Sequence, residues 1–250
     1  MNIIGKNIIR LREVDSTNDY ILKEIQNGSI STEGTIVVAD NQIAGKGQDK
    51  NLWESEAGKN LTFSVLLKPV FIKAEQQFLM NKAISLGISD FVKSIIKEKN
   101  ISIKWPNDIY INNKKVAGIL INNTICGNEF EYSVVGIGIN VNQTDFYSDA
   151  PNPVSLKHFL KKDLDLKKNL KDLCEFLNLR YRQLYQHNFD KIEKEYLLAL
   201  YRFNEVHSFR YKNQTINSRI TGVSDYGKLQ LQAEDGGKIE CDLKQIEFII

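Results

Sequence analysis

The chain has 250 residues, enough to bury one large core or one large and one small unit. Apolar residues make up 42% and charged residues 26%, ordinary for a soluble globular protein, and 33 basic against 31 acidic residues leave a net charge of only +2. That balance argues against a protein whose main work is holding nucleic acid by electrostatics. The three cysteines, Cys126, Cys174 and Cys241, are too sparse and unpaired for a disulfide framework or a zinc site, and fit a reducing cytosol. No apolar run is long enough for a signal peptide or a membrane span, so the expectation is a cytoplasmic protein without a membrane partner.

In chain order, residues 8–14 and 34–40 read as strands. Between them residues 16–25 open like a helix, with Asp15 or Ser16 as cap and Tyr20, Ile21 and Ile25 as its apolar face. Residues 61–67 alternate like a strand that Pro69 stops. Residues 74–97 carry apolar side chains at helical spacing. Strands follow at 101–105, 108–111, 115–122 and 129–142, with Asn112-Asn113 as a hairpin turn. Residues 169–200 read as a second helical region broken near His187-Asn188. Short β-type runs from residue 205 onward, among them 208–211, 216–223, 228–232 and 238–242, then suggest five short strands in a small barrel. The pattern predicts an α+β fold, a mixed sheet with helices packed on it, and a boundary near residues 202–205.

Four segments carry chemistry. Lys104-Trp-Pro-Asn-Asp108, followed by Lys115-Val-Ala-Gly118-Ile-Leu, packs cations, an aromatic, an amide and a carboxylate around a strand end. It has the character of a site for a nucleotide phosphate and its metal. Asp15-Ser-Thr-Asn18 reads either as a plain helix cap or as a set of donors for an anionic or polar ligand. Gln42 to Trp53 contains Gly45-Lys-Gly47-Gln-Asp49-Lys50, which reads either as a surface loop or as a phosphate loop. It is not a P-loop, since no Ser or Thr follows Gly-Lys. Gly136-Ile-Gly138-Ile-Asn140 interrupts a β-branched strand, which marks a bend or the close approach of a ligand or another backbone. His158, His187 and His207 lack ligand spacing and a nucleophile partner.

Taken together, Asp-Ser-Thr-Asn, the Gly-x-Gly loop ending in Trp, Lys-Trp-Pro-Asn-Asp, Lys-Val-Ala-Gly-Ile-Leu and Gly-Ile-Gly-Ile-Asn resemble the biotin protein ligases, in that family's order. The motifs span residues 15–142, and the tail after 205 is similar to the family's SH3-like C-terminal domain. The resemblance implies a catalytic domain over residues 1–203, of the kind shared with class II aminoacyl-tRNA synthetases, and an SH3-like domain over 204–250. It implies ATP and biotin as substrates, Mg²⁺ as the metal, and a biotin carboxyl carrier domain as acceptor partner, with the enzyme a monomer or homodimer. The alternatives are a lipoate-type cofactor ligase and a non-catalytic biotin-binding or regulatory protein. The ligand-binding segment begins at residue 15, so no DNA-binding domain and no DNA partner are expected.

By the same resemblance, Lys46, Lys104, Asp108 and Lys115 are the catalytic set, with Asp108 on Mg²⁺. Biotin falls to Ser16, Thr17, Asn18, Gln42, Lys46, Gly47, Gln48, Lys115 and Gly118. ATP falls to Lys46, Trp53, Lys104, Asn107, Asp108, Lys115 and Asn140, with Trp53 stacked on adenine. This loop departs from the family's Gly-Arg-Gly-Arg/Gln-Arg-Gly-x-x-Trp. Asp49 stands where arginine is usual and Lys50 where glycine is usual, so Asp49 is expected to turn outward and Lys50 to supply charge. Gln48 in place of the frequent arginine implies weaker retention of the adenylate.

Overall fold

The computed structural model describes residues 2–48, 51–97, 99–148 and 150–249. Its main sheet contains β1 (Ile8–Val14), β2 (Ile36–Gln42), β3 (Leu61–Leu67), β4 (Ile101–Lys104), β5 (Asp108–Ile111), β6 (Lys114–Cys126) and β7 (Glu129–Ile139). The seven strands lie in the order β1-β2-β3-β7-β6-β5-β4. β1 and β2 are parallel and are joined through α1 (Thr17–Gln26); the other neighbours are antiparallel.

Strand periodicity explains how two layers cover this sheet. Successive side chains point to opposite faces. Ile36, Val38, Phe63, Val65, Leu67, Val135, Ile137 and Ile139 enter the large core with α2 (Phe78–Ile95), α3 (Leu166–Tyr185) and α4 (Phe189–Ala199). The alternate residues Val37, Leu66 and Val134 pack instead with Ile21 of α1. β3 is buried along its whole length, as a strand covered on both faces must be.

Local chemistry sets the boundaries. Ser16 caps α1, its hydroxyl accepting from the Asp19 amide. The β5–β6 hairpin turns at Asn112-Asn113, with Asn112 at φ 55°, a left-handed conformation that asparagine tolerates. The break between α3 and α4 falls at His187-Asn188, where His187 has φ 56°.

The chain ends in a second sheet of β8 (Val206–Tyr211), β9 (Gln214–Val223), β10 (Leu229–Ala233), β11 (Lys238–Cys241) and β12 (Ile246–Phe248). All its pairs are antiparallel, in the order β11-β10-β9-β8-β12. The small closed barrel expected from the sequence does not form among the described residues: the edge strands β11 and β12 are not paired, and the sheet is open. With four and three residues, those edges offer few backbone groups for a closing ladder.

This sheet is fastened to the main one. Phe209, Ile220 and Leu231 belong to the same buried cluster as the core of the main sheet. The Trp105 indole Nε1 donates to the Gly227 carbonyl at 2.8 Å, and the Phe78 amide to Asp225 O at 3.3 Å. Gly227, at φ +89°, lets the turn sit on Phe78, whose Cδ2 lies 2.5 Å from where a Cβ would be. Buried Lys82 of α2 donates to Val223 O of β9 at 3.4 Å, while it ion-pairs with Glu193 of α4 and stands over the rings of Phe78 and Tyr196 at 5.6 and 5.7 Å.

Candidate active site

Strand register places one row of residues across the sheet. Thr62 on β3 pairs with Gly138 on β7, Gly138 with Gly118 on β6, Gly118 with Asp108 on β5, and Asp108 with Lys104 on β4. The next row on the same face runs from Ser64 through Gly136 to Leu120. A cleft of about 930 Å³ opens over these rows. Its floor is bare backbone in the middle, with charge at one end and hydroxyls and amides at the other.

The charged end follows from Lys-Trp-Pro-Asn-Asp. Trp105-Pro106, joined by a cis peptide bond, and Asn107 turn the chain, so that Lys104 and Asp108 face each other across β4 and β5. The Asn107 amide donates to Ile119 O at 2.6 Å and ties this turn to β6. Lys115 Nζ stands 2.7 Å from Asp108 Oδ1, with both side chains largely shielded from water. Burial pulls the Lys104 ammonium below the ordinary lysine value, Asp108 opposes that, and Lys115 and Arg202 reinforce it. Burial, and then Asp108 and Tyr201, push the Tyr110 phenol well up, so it stays neutral beside these charges.

Among the described residues no group of three or more His, Cys, Asp or Glu side chains could hold a metal. Asp108 is a single carboxylate between two lysines. That donor set fits Mg²⁺ carried mainly by substrate phosphates rather than by a protein cage.

The opposite end is a chain of hydrogen bonds. Gln42 Oε1 accepts from the Thr17 amide at 2.8 Å and from the Thr17 hydroxyl at 3.0 Å. The Thr17 hydroxyl meets Ser64 Oγ at 2.7 Å, and Ser64 donates to Asn18 Oδ1. The Asn18 amide in turn donates to Leu120 O at 3.2 Å and Asn122 Oδ1 at 3.0 Å. Each side chain is held by its neighbours before any ligand arrives.

Residues 45–47 pair with residues 51–53 over the middle of the floor. The Trp53 amide donates to Gly45 O at 2.9 Å and the Gly47 amide to Asn51 O at 2.7 Å. Gly45 is required there, because a Cβ would lie 2.6 Å from Trp53 O. The indole of Trp53 rests on the glycine floor, with Cβ positions at Gly138 and Gly118 falling 2.3 and 3.0 Å from its ring atoms. Its Nε1 is buried without a hydrogen-bond partner among the described residues. Lys46 lines the cleft and pairs with Asp19 at 2.6 Å. Both partners are about half exposed, so the pair is worth only ~0–1 kcal/mol and yields readily to a phosphate. Asp49 and Lys50, on which the charge reading of this loop rests, lie outside the described residues.

Every candidate residue taken from the sequence lines this cleft except Asn140. Asn140 is buried just past the end of β7, where its amide donates to Val154 O at 3.1 Å. The strap it holds supports Lys115: Lys115 N donates to Asn152 O, and Val154 N to Lys115 O, each at 2.9 Å. Asn140 thus holds the strap beside Lys115 through its amide nitrogen, while its Oδ1 has no hydrogen-bond partner among the described residues. Sequence reasoning missed Ser64 and Asn122, although a hydroxyl in the apolar strand Leu-Thr-Phe-Ser-Val-Leu-Leu was a usable signal. It also missed Tyr110 and a wall from the C-terminal sheet, with Arg210, Leu243, Glu247 and Phe248.

Fold and cleft together define a mixed-sheet, small-molecule-activating protein, with cations and one carboxylate at the reactive end and a fixed hydrogen-bonding pocket at the other. The chain belongs to the biotin/lipoate A/B protein ligase family, whose model matches residues 11–140. It is 30% identical over 94% of its length to the bifunctional ligase/repressor BirA of Bacillus spizizenii, covering 72% of that protein. It is 28% identical to the biotin–[acetyl-CoA-carboxylase] ligase of Paracoccus denitrificans, covering 92% of this chain and 95% of that one. The crystal structure of the Aquifex aeolicus biotin protein ligase in complex with biotin and ATP superposes with a TM-score of 0.79. That match has 28% identity and covers 97% of this chain and 98% of the other.

Proposed function

We propose that the chain is an ATP-dependent biotin protein ligase, which forms biotinyl-5′-AMP with release of pyrophosphate and then transfers biotin to a lysine of a biotin carboxyl carrier domain. The observation that carries this reading is the pair of cross-strand rows on one face, Thr62 to Lys104 and Ser64 to Leu120, which give one floor a charged end at Asp108 and Lys104 and a hydrogen-bonded end at Ser64.

Adenylation brings a carboxylate onto an anionic phosphate. Two unit charges at 4 Å repel by about 4 kcal/mol at an effective dielectric near 20. Fixed cations offset this best when they need no reorganisation. In this reading Lys115, held by the 152–154 strap and by Asp108, bridges biotin's carboxylate and the α-phosphate. Lys104 and Lys46 serve the remaining phosphate charge. Mg²⁺, when bound with the nucleotide, supplies further charge neutralisation, with Asp108 as its protein carboxylate. Ser16, Thr17, Asn18 and Gln42 present donors and acceptors to the ureido head, with Gly47, Gln48 and Gly118 along biotin's path. Trp53 and Asn107 flank the nucleotide, and in the second step Asp108 is the candidate to take the acceptor amine's proton.

Residues 1–203 are read as the catalytic unit and 204–250 as an SH3-like unit that walls the cleft. No described helix is long and apolar enough to cross a membrane, and a cytoplasmic enzyme, monomeric or homodimeric, fits this reading. Because the family also covers lipoate ligases, the test pairs both acids. The purified chain, ATP, Mg²⁺ and a biotin carboxyl carrier domain are incubated with biotin or with lipoate, and the carrier's intact mass is followed. Biotin alone is expected to add to one lysine; lipoylation, or biotin binding with no transfer, overturns the proposal.

A further inference from the structure

Lys104 has an unusual environment for a cation. Among the described residues no carboxylate lies within ion-pair distance of its nitrogen, and its close partners are ring faces. Nζ stands 4.7 Å from the centroid of Phe248 and 5.6 Å from that of Tyr110. The two rings come from different sheets, Tyr110 from β5 and Phe248 from β12, so the slot for Lys104 exists only when the sheets are docked.

The slot is braced on every side. Phe248 meets Phe209 edge-on at 5.2 Å and Tyr201 at 6.3 Å, and Tyr201 meets Tyr110 at 5.6 Å. The connection between the sheets is itself tied to β4, with Tyr201 N donating to Ile103 O at 2.8 Å, next to Lys104. The Tyr201 hydroxyl donates to Asn113 Oδ1 at 3.0 Å, and Arg202 Nη1 to Ile249 O at 2.8 Å, beside Phe248. A lysine has four rotatable bonds and loses its reach when they are free. A ring on each side limits those bonds and favours the charged form through the ring quadrupole.

We propose that Phe248 is a positioning residue for the adenylation step, holding the Lys104 ammonium between its ring and Tyr110 so that the C-terminal sheet completes the phosphate end of the cleft. This rests on the ligase reading. Phe248 touches no reacting atom in this scheme and acts through Lys104. The chemistry predicts that an aromatic face is required at position 248 and that apolar bulk alone does not suffice.

The test is a cycle of variants of the full chain, assayed by biotin-dependent pyrophosphate release with ATP varied. Phe248→Leu is expected to lower kcat/KM for ATP about tenfold, with biotin affinity measured in the absence of ATP unchanged. Phe248→Tyr, which keeps the face, is expected to stay within about twofold of wild type. In a Lys104→Met background Phe248→Leu is expected to cost nothing further. Wild-type behaviour of Phe248→Leu, or the same tenfold loss with Lys104 already replaced, overturns the inference while leaving the ligase reading intact. An inactive wild-type protein sinks the ligase reading and this inference with it.

Discussion

A methyl group added at Gly138 and one added at Gly136 test the division of the cleft into two ends. At Gly138 the new Cβ falls 2.3 Å from Cε2 of Trp53 and 2.7 Å from Nε1, so the indole must move by about 1 Å to reach van der Waals distance. Overpacking of this kind costs ~1–3 kcal/mol, equivalent to roughly 5- to 150-fold in an equilibrium constant. Trp53 follows the exposed residues Asn51 and Leu52 and is not packed in the core, so the cost is expected at the nucleotide end rather than in folding. At Gly136 the Cβ falls 2.5 Å from Asn18 Oδ1. Asn18 is held by Ser64, Leu120 O and Asn122 and cannot swing away without breaking those bonds. Neither glycine has a positive φ, so backbone strain does not enter. Steady-state pyrophosphate release with each substrate varied is the assay. Gly138→Ala is expected to raise KM for ATP more than KM for biotin, and Gly136→Ala the reverse. If both variants shift the same KM, or Gly138→Ala shifts neither, the two-ended reading of the floor fails.

Three further outcomes are expected. Because burial holds Lys104 below the ordinary lysine value of 10.5, the alkaline limb of kcat/KM for ATP should appear below that pH. In that same window the unfolded chain binds more protons than the folded one, so Lys104 makes stability rise with pH there and disfavours folding below it. A pH–rate profile with no loss of activity until pH 10.5 contradicts this. Trp105→Phe removes the 2.8 Å bond to Gly227 and leaves a part-buried carbonyl unpaired, which should cost about 1–3 kcal/mol and lower the thermal midpoint by several degrees. An unchanged midpoint means that the indole bond does not fasten the second sheet. Gln48→Arg should slow release of free biotinyl-adenylate, since a guanidinium grips phosphate in two places; equal release by wild type and variant removes that role from position 48.

The strands, the hairpin at Asn112 and the break at His187 were legible because apolar periodicity and turn chemistry are local properties. The site was legible where several functional residues fall within one short motif, as in Lys104–Asp108 and Ser16–Asn18. What could not be read is what depends on register and docking. That Thr62, Gly138, Gly118, Asp108 and Lys104 form one row follows from four strand pairings, of which only Lys104 with Asp108 lies within one short motif. Phe248 and Arg210 reach the cleft from a sheet whose own sequence carries no chemical motif. Asn140 sits inside a motif and yet does not line the cleft, because β7 ends at Ile139 and the Asn140 amide is taken up by Val154 O. The open second sheet reflects edge strands too short to pair, a matter of a few residues that spacing alone does not reveal.

Pyrophosphate–ATP isotope exchange tests the central claim most directly, because it isolates the step that the row of residues is argued to perform. The purified chain should exchange pyrophosphate into ATP only when biotin is present, with lipoate unable to replace it. Lys115→Met should abolish exchange while biotin still binds. Exchange without biotin, exchange driven equally by lipoate, or full exchange by Lys115→Met would contradict the account.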